Sequence, residues 1–147
     1  VRIKYKKMKL ELKHLAPYLP YGLKILDNIR GGNHINDDTY LLEPKNIHRC
    51  LTFASENEKP ILRPLSDLTK EIEHNGEKFV PIRKLLEANN FNLEKMETEY
   101  INSFAKSMVE IQMAYDDAQL LLRWHFDIFG LIEKDLAVNI NTLSVPE

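Results

Sequence analysis

The chain of 147 residues has one cysteine, Cys50. An intramolecular disulfide is therefore excluded, and a reducing cytoplasm is the expected compartment. Only five glycines and seven prolines are present, too few for a low-complexity or fibrous chain. No apolar run exceeds three residues, as in Leu120-Leu121-Leu122, whereas a membrane span needs roughly 20. The basic N-terminus passes into alternating residues with no apolar core of a secretory segment, so neither membrane nor export is expected. There is no phosphate-cradling glycine loop, no Gly-x-Ser-x-Gly, no His-Glu-x-x-His and no Cys-x-x-Cys. Those absences set aside the commonest nucleotide, hydrolase and zinc chemistries.

What remains is the composition of one ordinary globular domain, residues 1–147, with 44% hydrophobic and 29% charged residues. The net charge of −2 is unevenly spread. Residues 1–14 hold Arg2, Lys4, Lys6, Lys7, Lys9 and Lys13 against Glu11, a net of +5, so the rest carries −7. Such an arm reads either as a phosphate-binding tail or as the wet face of an edge strand.

Val1, Ile3 and Tyr5 alternate with basic residues, and after Lys7 the phase slips so that Met8, Leu10 and Leu12 alternate with Lys9, Glu11 and Lys13. Period 2 predicts strand over 9–14. The slip is either a bulge or the start of the native chain at Met8, with 1–7 an upstream extension or tail. Pro17 and Pro20 exclude a regular helix between Leu15 and Gly22. Leu23–Leu26, Thr39–Glu43 and Asn46–Ala54 read as further strands around a polar loop at 27–38. Ser66 is the expected N-cap of a helix over 66–75 that stops at Asn75-Gly76. Glu77–Val80 should be extended, and Pro81 should open a helix to Ala88.

From Asn92 to Phe129 a long helix is predicted, halted by Gly130, either unbroken or divided in two at Asp116-Asp117. Phe104, Met108, Ile111, Tyr115, Ala118, Leu122, His125 and Phe129 recur at heptad spacing. That row is either core or a seam for pairing with a second copy through the 104–129 helix. Leu136–Thr142 alternates and closes the chain as a strand. The expected class is α+β: an antiparallel sheet of N-terminal strands plus the C-terminal strand, packed with two short helices and one long helix.

Two segments, Lys59–Ile82 (KPILRPLSDLTKEIEHNGEKFVPI) and Trp124–Leu143 (opening WHFDIFGLIE), carry a resemblance. They are similar to a family of short proteins encoded by phages and prophages of Bacteroidetes-type bacteria. The resemblance implies glycine in relatives where this chain has Asp135, and it brings no activity with it.

Four groups could carry chemistry. His125 and Asp127 would lie about 200° apart on a helix, so a buried, hydrogen-bonded His125 is expected in place of a metal ligand. His34, Asp37 and Asp38 share the Gly31-Gly32 loop with nothing to hold a divalent ion's geometry. His48 and Cys50 supply two ligands where zinc needs four. Arg63, three residues before Ser66, could meet an anion at a helix N-terminus. The sequence thus predicts no metal, no cofactor and no enzyme. It predicts a cytoplasmic, self-associating interaction protein with a phage or host protein as partner. The alternative is nucleic-acid binding through the basic strand.

Overall fold

A computed structural model describes residues 9–27, 39–52, 58–110 and 113–143. The first half runs α1 (Leu12–Leu15), a 3-10 turn (Ala16–Tyr21), β1 (Lys24–Asp27), β2 (Thr39–Leu41), α2 (Ile47–Leu51) and β3 (Glu58–Leu62). A 3-10 turn (Leu65–Thr69) leads to β4 (Ile72–His74), β5 (Glu77–Phe79) and α3 (Pro81–Ala88). The chain ends as α4 (Thr98–Glu110), α5 (Tyr115–Arg123), β6 (Val138–Asn139) and a 3-10 turn (Ile140–Thr142). The fold is α+β.

β1 pairs antiparallel with β2 and β3, setting Ile25 opposite both Tyr40 and Pro60. β3 then pairs with β6 in parallel, Ile61 opposite Val138. The expected all-antiparallel sheet is therefore corrected to a mixed one. The helices between β3 and β6 form the long crossover that parallel pairing requires. Where a strand was expected over Leu136–Thr142, only Val138–Asn139 pairs before the backbone tightens into the last 3-10 turn.

Several other expectations give way to local hydrogen bonding. Residues 9–14 hold no strand; Glu11 donates its backbone N–H to His14 Nδ1 at 2.9 Å and caps α1. Leu10 and Leu15 turn inward while Leu12 is 54% exposed, which breaks the alternation. Of the strand expected over Asn46–Ala54, the described residues 46–52 form none. Asn46 accepts from Glu43 N at 2.8 Å and donates to the Leu41 carbonyl. It thereby starts α2, whose Ile47, Cys50 and Leu51 meet the core at helical spacing.

The helix expected over 66–75 is replaced by the Leu65–Thr69 turn, with Pro64 at its N-cap, followed by a hairpin. Ser66 is exposed and caps nothing. Asn75 (φ +51°) and Gly76 (φ +80°) form the two-residue turn between β4 and β5. Both left-handed residues are those a tight hairpin turn needs. A Cβ at Gly76 would meet nothing within 4 Å, so Gly76→Val should cost only backbone strain, about 1–2 kcal/mol. An unchanged urea midpoint would contradict that assignment.

The predicted 92–129 helix is two helices. Asn92 caps only a 3-10 turn (Leu93–Lys95), accepting from Glu94 N at 3.1 Å. Ala114 is extended (φ −66°, ψ 148°) and starts α5 afresh. The heptad row does not share one face: Met108 is 8% exposed and Tyr115 is 75% exposed. Pairing of copies along it thus loses its continuous rod, and Ile111 lies outside the described residues. α5 stops at Trp124, and His125 takes φ +63°.

Two clusters make most of the core. One joins Leu68, Ile82, Leu85, Leu86, Ile101 and Leu121 under the hairpin and helices. The other joins Leu15, Tyr18, Leu23, Ile25, Leu62 and Leu131 against the sheet. The stretch after α5 stitches them, since Trp124 and Phe126 enter the first while Phe129 and Leu131 enter the second. Arg63 extends β3 against it: Arg63 N donates to the His125 carbonyl, and Asp127 N donates to the Arg63 carbonyl, each at 2.8 Å. The two segments that carry the family resemblance are therefore packed on each other. No helix among the described residues is long and apolar enough to cross a membrane.

Candidate functional site

β4 lies between two surface hollows, and a line of buried polar groups runs beneath it. On one side a hollow of about 610 Å³ is lined by Arg63, Asp67, Lys70, Ile72, Asn141 and Leu143. On the other a hollow of about 550 Å³ is lined by His74, Phe79, Lys84, Glu87, Arg123 and Trp124. Arg63 is 8% exposed. Its Nε donates to the Trp124 carbonyl at 3.3 Å and its Nη2 to the Glu73 carbonyl at 2.9 Å. Burial pulls the Arg63 pKa down, and the charge of Asp67 partly offsets this.

Asp67 reaches the first hollow from the Leu65–Thr69 turn, with its side chain 5% exposed. Asn141, from the last 3-10 turn, donates to Asp67 Oδ2 at 2.8 Å. Oδ1 has no hydrogen-bond partner; the Lys70 ammonium stands 3.6 Å from it on a side chain that is 67% exposed. The second hollow is aromatic and charged. Phe79 and Trp124 rings meet at 5.0 Å, Lys84 lies over the Phe79 ring at 4.2 Å, and Lys84 pairs with Glu77.

His74 and His125 connect the two sides, ring against ring at 4.8 Å and 85°. His125 Nε2 lies 2.6 Å from the Tyr21 carbonyl, to which it donates as the neutral tautomer. Burial depresses the His125 pKa to about 4, the Tyr21 carbonyl opposing and the charges of His74, Arg63 and Lys24 adding to it. Burial and then Arg63 lower His74 as well. An unfolded histidine titrates near 6.5. Between that value and about 4 the unfolded chain binds a proton that folded His125 refuses. Stability is therefore full above about pH 6.5 and declines as pH falls toward 4.

His125 alone should remove on the order of 3 kcal/mol between pH 7 and pH 4. Urea melts across that range test this. His125→Asn, which accepts the positive φ, should flatten the decline relative to the unaltered protein. Equal slopes in both would contradict it.

The structure separates Arg63 from Ser66. Ser66 lines a different hollow of about 400 Å³ with Leu65, Ala105 and Val109, while Arg63 has Asp67 for its charged neighbour. His125 and Asp127 diverge: Asp127 is 6% exposed and accepts from Leu131 N and Ile132 N at 2.8 and 2.9 Å. His48 is exposed, whereas Cys50 is buried with Sγ 3.2 Å from Tyr40 Oη. Burial pushes the Cys50 thiol up, away from the reactive thiolate. His34, Asp37 and Asp38 lie outside the described residues, as do Arg2, Lys4, Lys6 and Lys7 of the basic arm. Among the described residues no three His, Cys, Asp or Glu side chains gather as a metal site.

The sequence marks Asp67 only as a first-turn carboxylate and an ordinary partner for Arg63, and it does not mark Asn141 at all. The burial of Asp67 carried one signal, a carboxylate between Leu65 and Leu68 in a turn whose leucines face inward. No protein-family model, curated protein or solved structure matches the chain.

Proposed function

We propose that the protein is a non-catalytic binding module that engages a phage or host protein through the hollow beside Arg63. The phage and prophage setting comes from the resemblance carried by Lys59–Ile82 and Trp124–Leu143. One observation supports the site: Asp67, 5% exposed and lining a surface hollow, has no hydrogen-bond donor on Oδ1 and only the largely solvated Lys70 ammonium beside it, at 3.6 Å. Folded proteins satisfy nearly all buried polar atoms, and a half-satisfied buried charge lowers stability. The other buried carboxylates have partners for that reason. Glu58 has Arg49 and Tyr40, Asp117 has Asn89, and Asp127 has two backbone N–H groups. A carboxylate held short of a donor suits a ligand that supplies one.

Selection from a random peptide library on the immobilised protein, with Asp67→Asn as the counter-screen, tests this reading. Sequences enriched on the unaltered protein and lost on the variant support it. Enrichment indifferent to Asp67 would exclude the hollow as the working surface. The net charge of +5 on residues 1–14 favours the second reading, nucleic-acid binding. In that case labelled DNA or RNA would be retained with a steep salt dependence and without regard to Asp67.

A further inference from the structure

The hollow beside Arg63 presents two desolvated charges of opposite sign. Arg63 and Asp67 feel each other through space, yet no direct ion pair joins them among the described residues. A gap between the charges therefore remains. Two of the five guanidinium N–H groups are engaged by the Trp124 and Glu73 carbonyls, which leaves three donors on a side chain that lines the hollow. On the acidic side, the Lys70 ammonium near Asp67 Oδ1 marks where a cationic donor settles. Lys70 is mostly solvated, and its long stem lets it yield that place. Ile72, Ile140 and Leu143 supply an apolar wall.

These features select by charge pattern. A simple cation entering the hollow meets the like charges of Arg63 and Lys70. A simple anion meets Asp67, Glu71 and Glu73, which line the same space. A ligand carrying both signs on one small head satisfies both groups.

We propose that the hollow binds the zwitterionic head of a free α-amino acid with an apolar side chain. Its ammonium takes the place of Lys70 on Asp67, its carboxylate meets Arg63, and its side chain lies on Ile72, Ile140 and Leu143. This rests on the reading of the hollow as a binding surface and makes the amino acid a small-molecule regulator that competes there with a protein partner. Charge-assisted hydrogen bonds at a desolvated floor are the strong kind, and the volume of about 610 Å³ admits such a molecule with room to spare.

The test is a titration followed by backbone amide NMR, with three probes taken into the millimolar range. L-leucine carries both charges, L-leucinamide only the cation, and 4-methylpentanoate only the anion. The expected result is saturable shifts at Ile72, Glu73 and Asn141 with L-leucine, and binding at least about tenfold weaker with either analogue. Asp67→Asn, which keeps an oxygen for Asn141, should fold and lose L-leucine by a similar factor. Lys70→Ala should bind it more tightly.

Saturation by L-leucinamide equal to that by L-leucine would overturn the inference, as would no saturable shift or an Asp67→Asn variant that binds unchanged. If L-leucine fails while library peptides still depend on Asp67, the zwitterion site falls and the binding-module reading stands. If both fail, both are wrong.

Discussion

Replacing Asp127 by alanine should destabilise the protein by about 3–5 kcal/mol. The carboxylate is 6% exposed and bonded to the N–H groups of Leu131 and Ile132. Alanine strands both donors in an interior where each unsatisfied group costs about 1–3 kcal/mol. The damage would spread further. Asp127 N is also bonded to the Arg63 carbonyl, and Tyr18 Oη donates to the neighbouring Phe126 carbonyl at 2.5 Å. One residue thus helps to hold the crossing of β3 with the stretch that joins the two cores. Asp127→Asn, which keeps one acceptor oxygen, should fall between the two proteins in a urea melt. An alanine variant within about 1 kcal/mol of the unaltered protein would show that water satisfies those donors.

Glu58→Ala should cost about 1–3 kcal/mol, by a different route. Glu58 is fully buried at the start of β3, with Oε1 2.5 Å from Arg49 Nη2 and Oε2 3.2 Å from Tyr40 Oη. Arg49 also lies over the Tyr40 ring at 4.6 Å and stands 3.8 Å from Asp27. Glu58 and Arg49 together therefore tie α2 to β1, β2 and β3. Removing Glu58 strands the Tyr40 hydroxyl and unpairs Arg49, which is 45% exposed and regains water, so the loss lies between that of a surface pair and that of a fully buried one. Lys84→Ala, which breaks a solvent-exposed pair with Glu77, is the control and should cost no more than about 1 kcal/mol. Similar small losses in both variants would mean that the Glu58 cluster is not a structural tie.

Where local chemistry and tertiary packing agreed, the sequence could be read directly. α3 begins at Pro81 and buries Ile82, Leu85 and Leu86 at helical spacing. Gly76, Gly130 and Asp135 take the left-handed backbone that their places in turns suggested. The misreadings arose where one signal has two physical meanings. Asn-Gly ends a helix as readily as it turns a hairpin, and three residues of β4 are too few to show alternation. Asn46, Ile47, Cys50 and Leu51 fit a capped helical turn as well as they fit a strand. The heptad row runs past a break because spacing along the chain does not register the extended residue at Ala114.

The candidate site was legible only in part, for the same kind of reason. Arg63 stood out as a cation beside an expected helix N-terminus. Its setting depends on Asn141, which lies 74 residues from Asp67 along the chain, and on carbonyls of Trp124 and Glu73. No spacing rule connects groups brought together by a parallel crossover. The burial of Asp67, likewise, is a property of the assembled hollow and not of the turn that carries it.

The proposal that Asp67 serves binding and not stability is tested most directly by the stability of Asp67→Asn. Urea melts of this variant beside the unaltered protein and Asp127→Ala make the comparison at one pH. The expected result is a loss of no more than about 1 kcal/mol, since a half-satisfied buried charge is removed while Arg63 and Lys70 lose its field. A loss of about 3 kcal/mol or more, matching Asp127→Ala, would make Asp67 one more structural carboxylate and contradict the account.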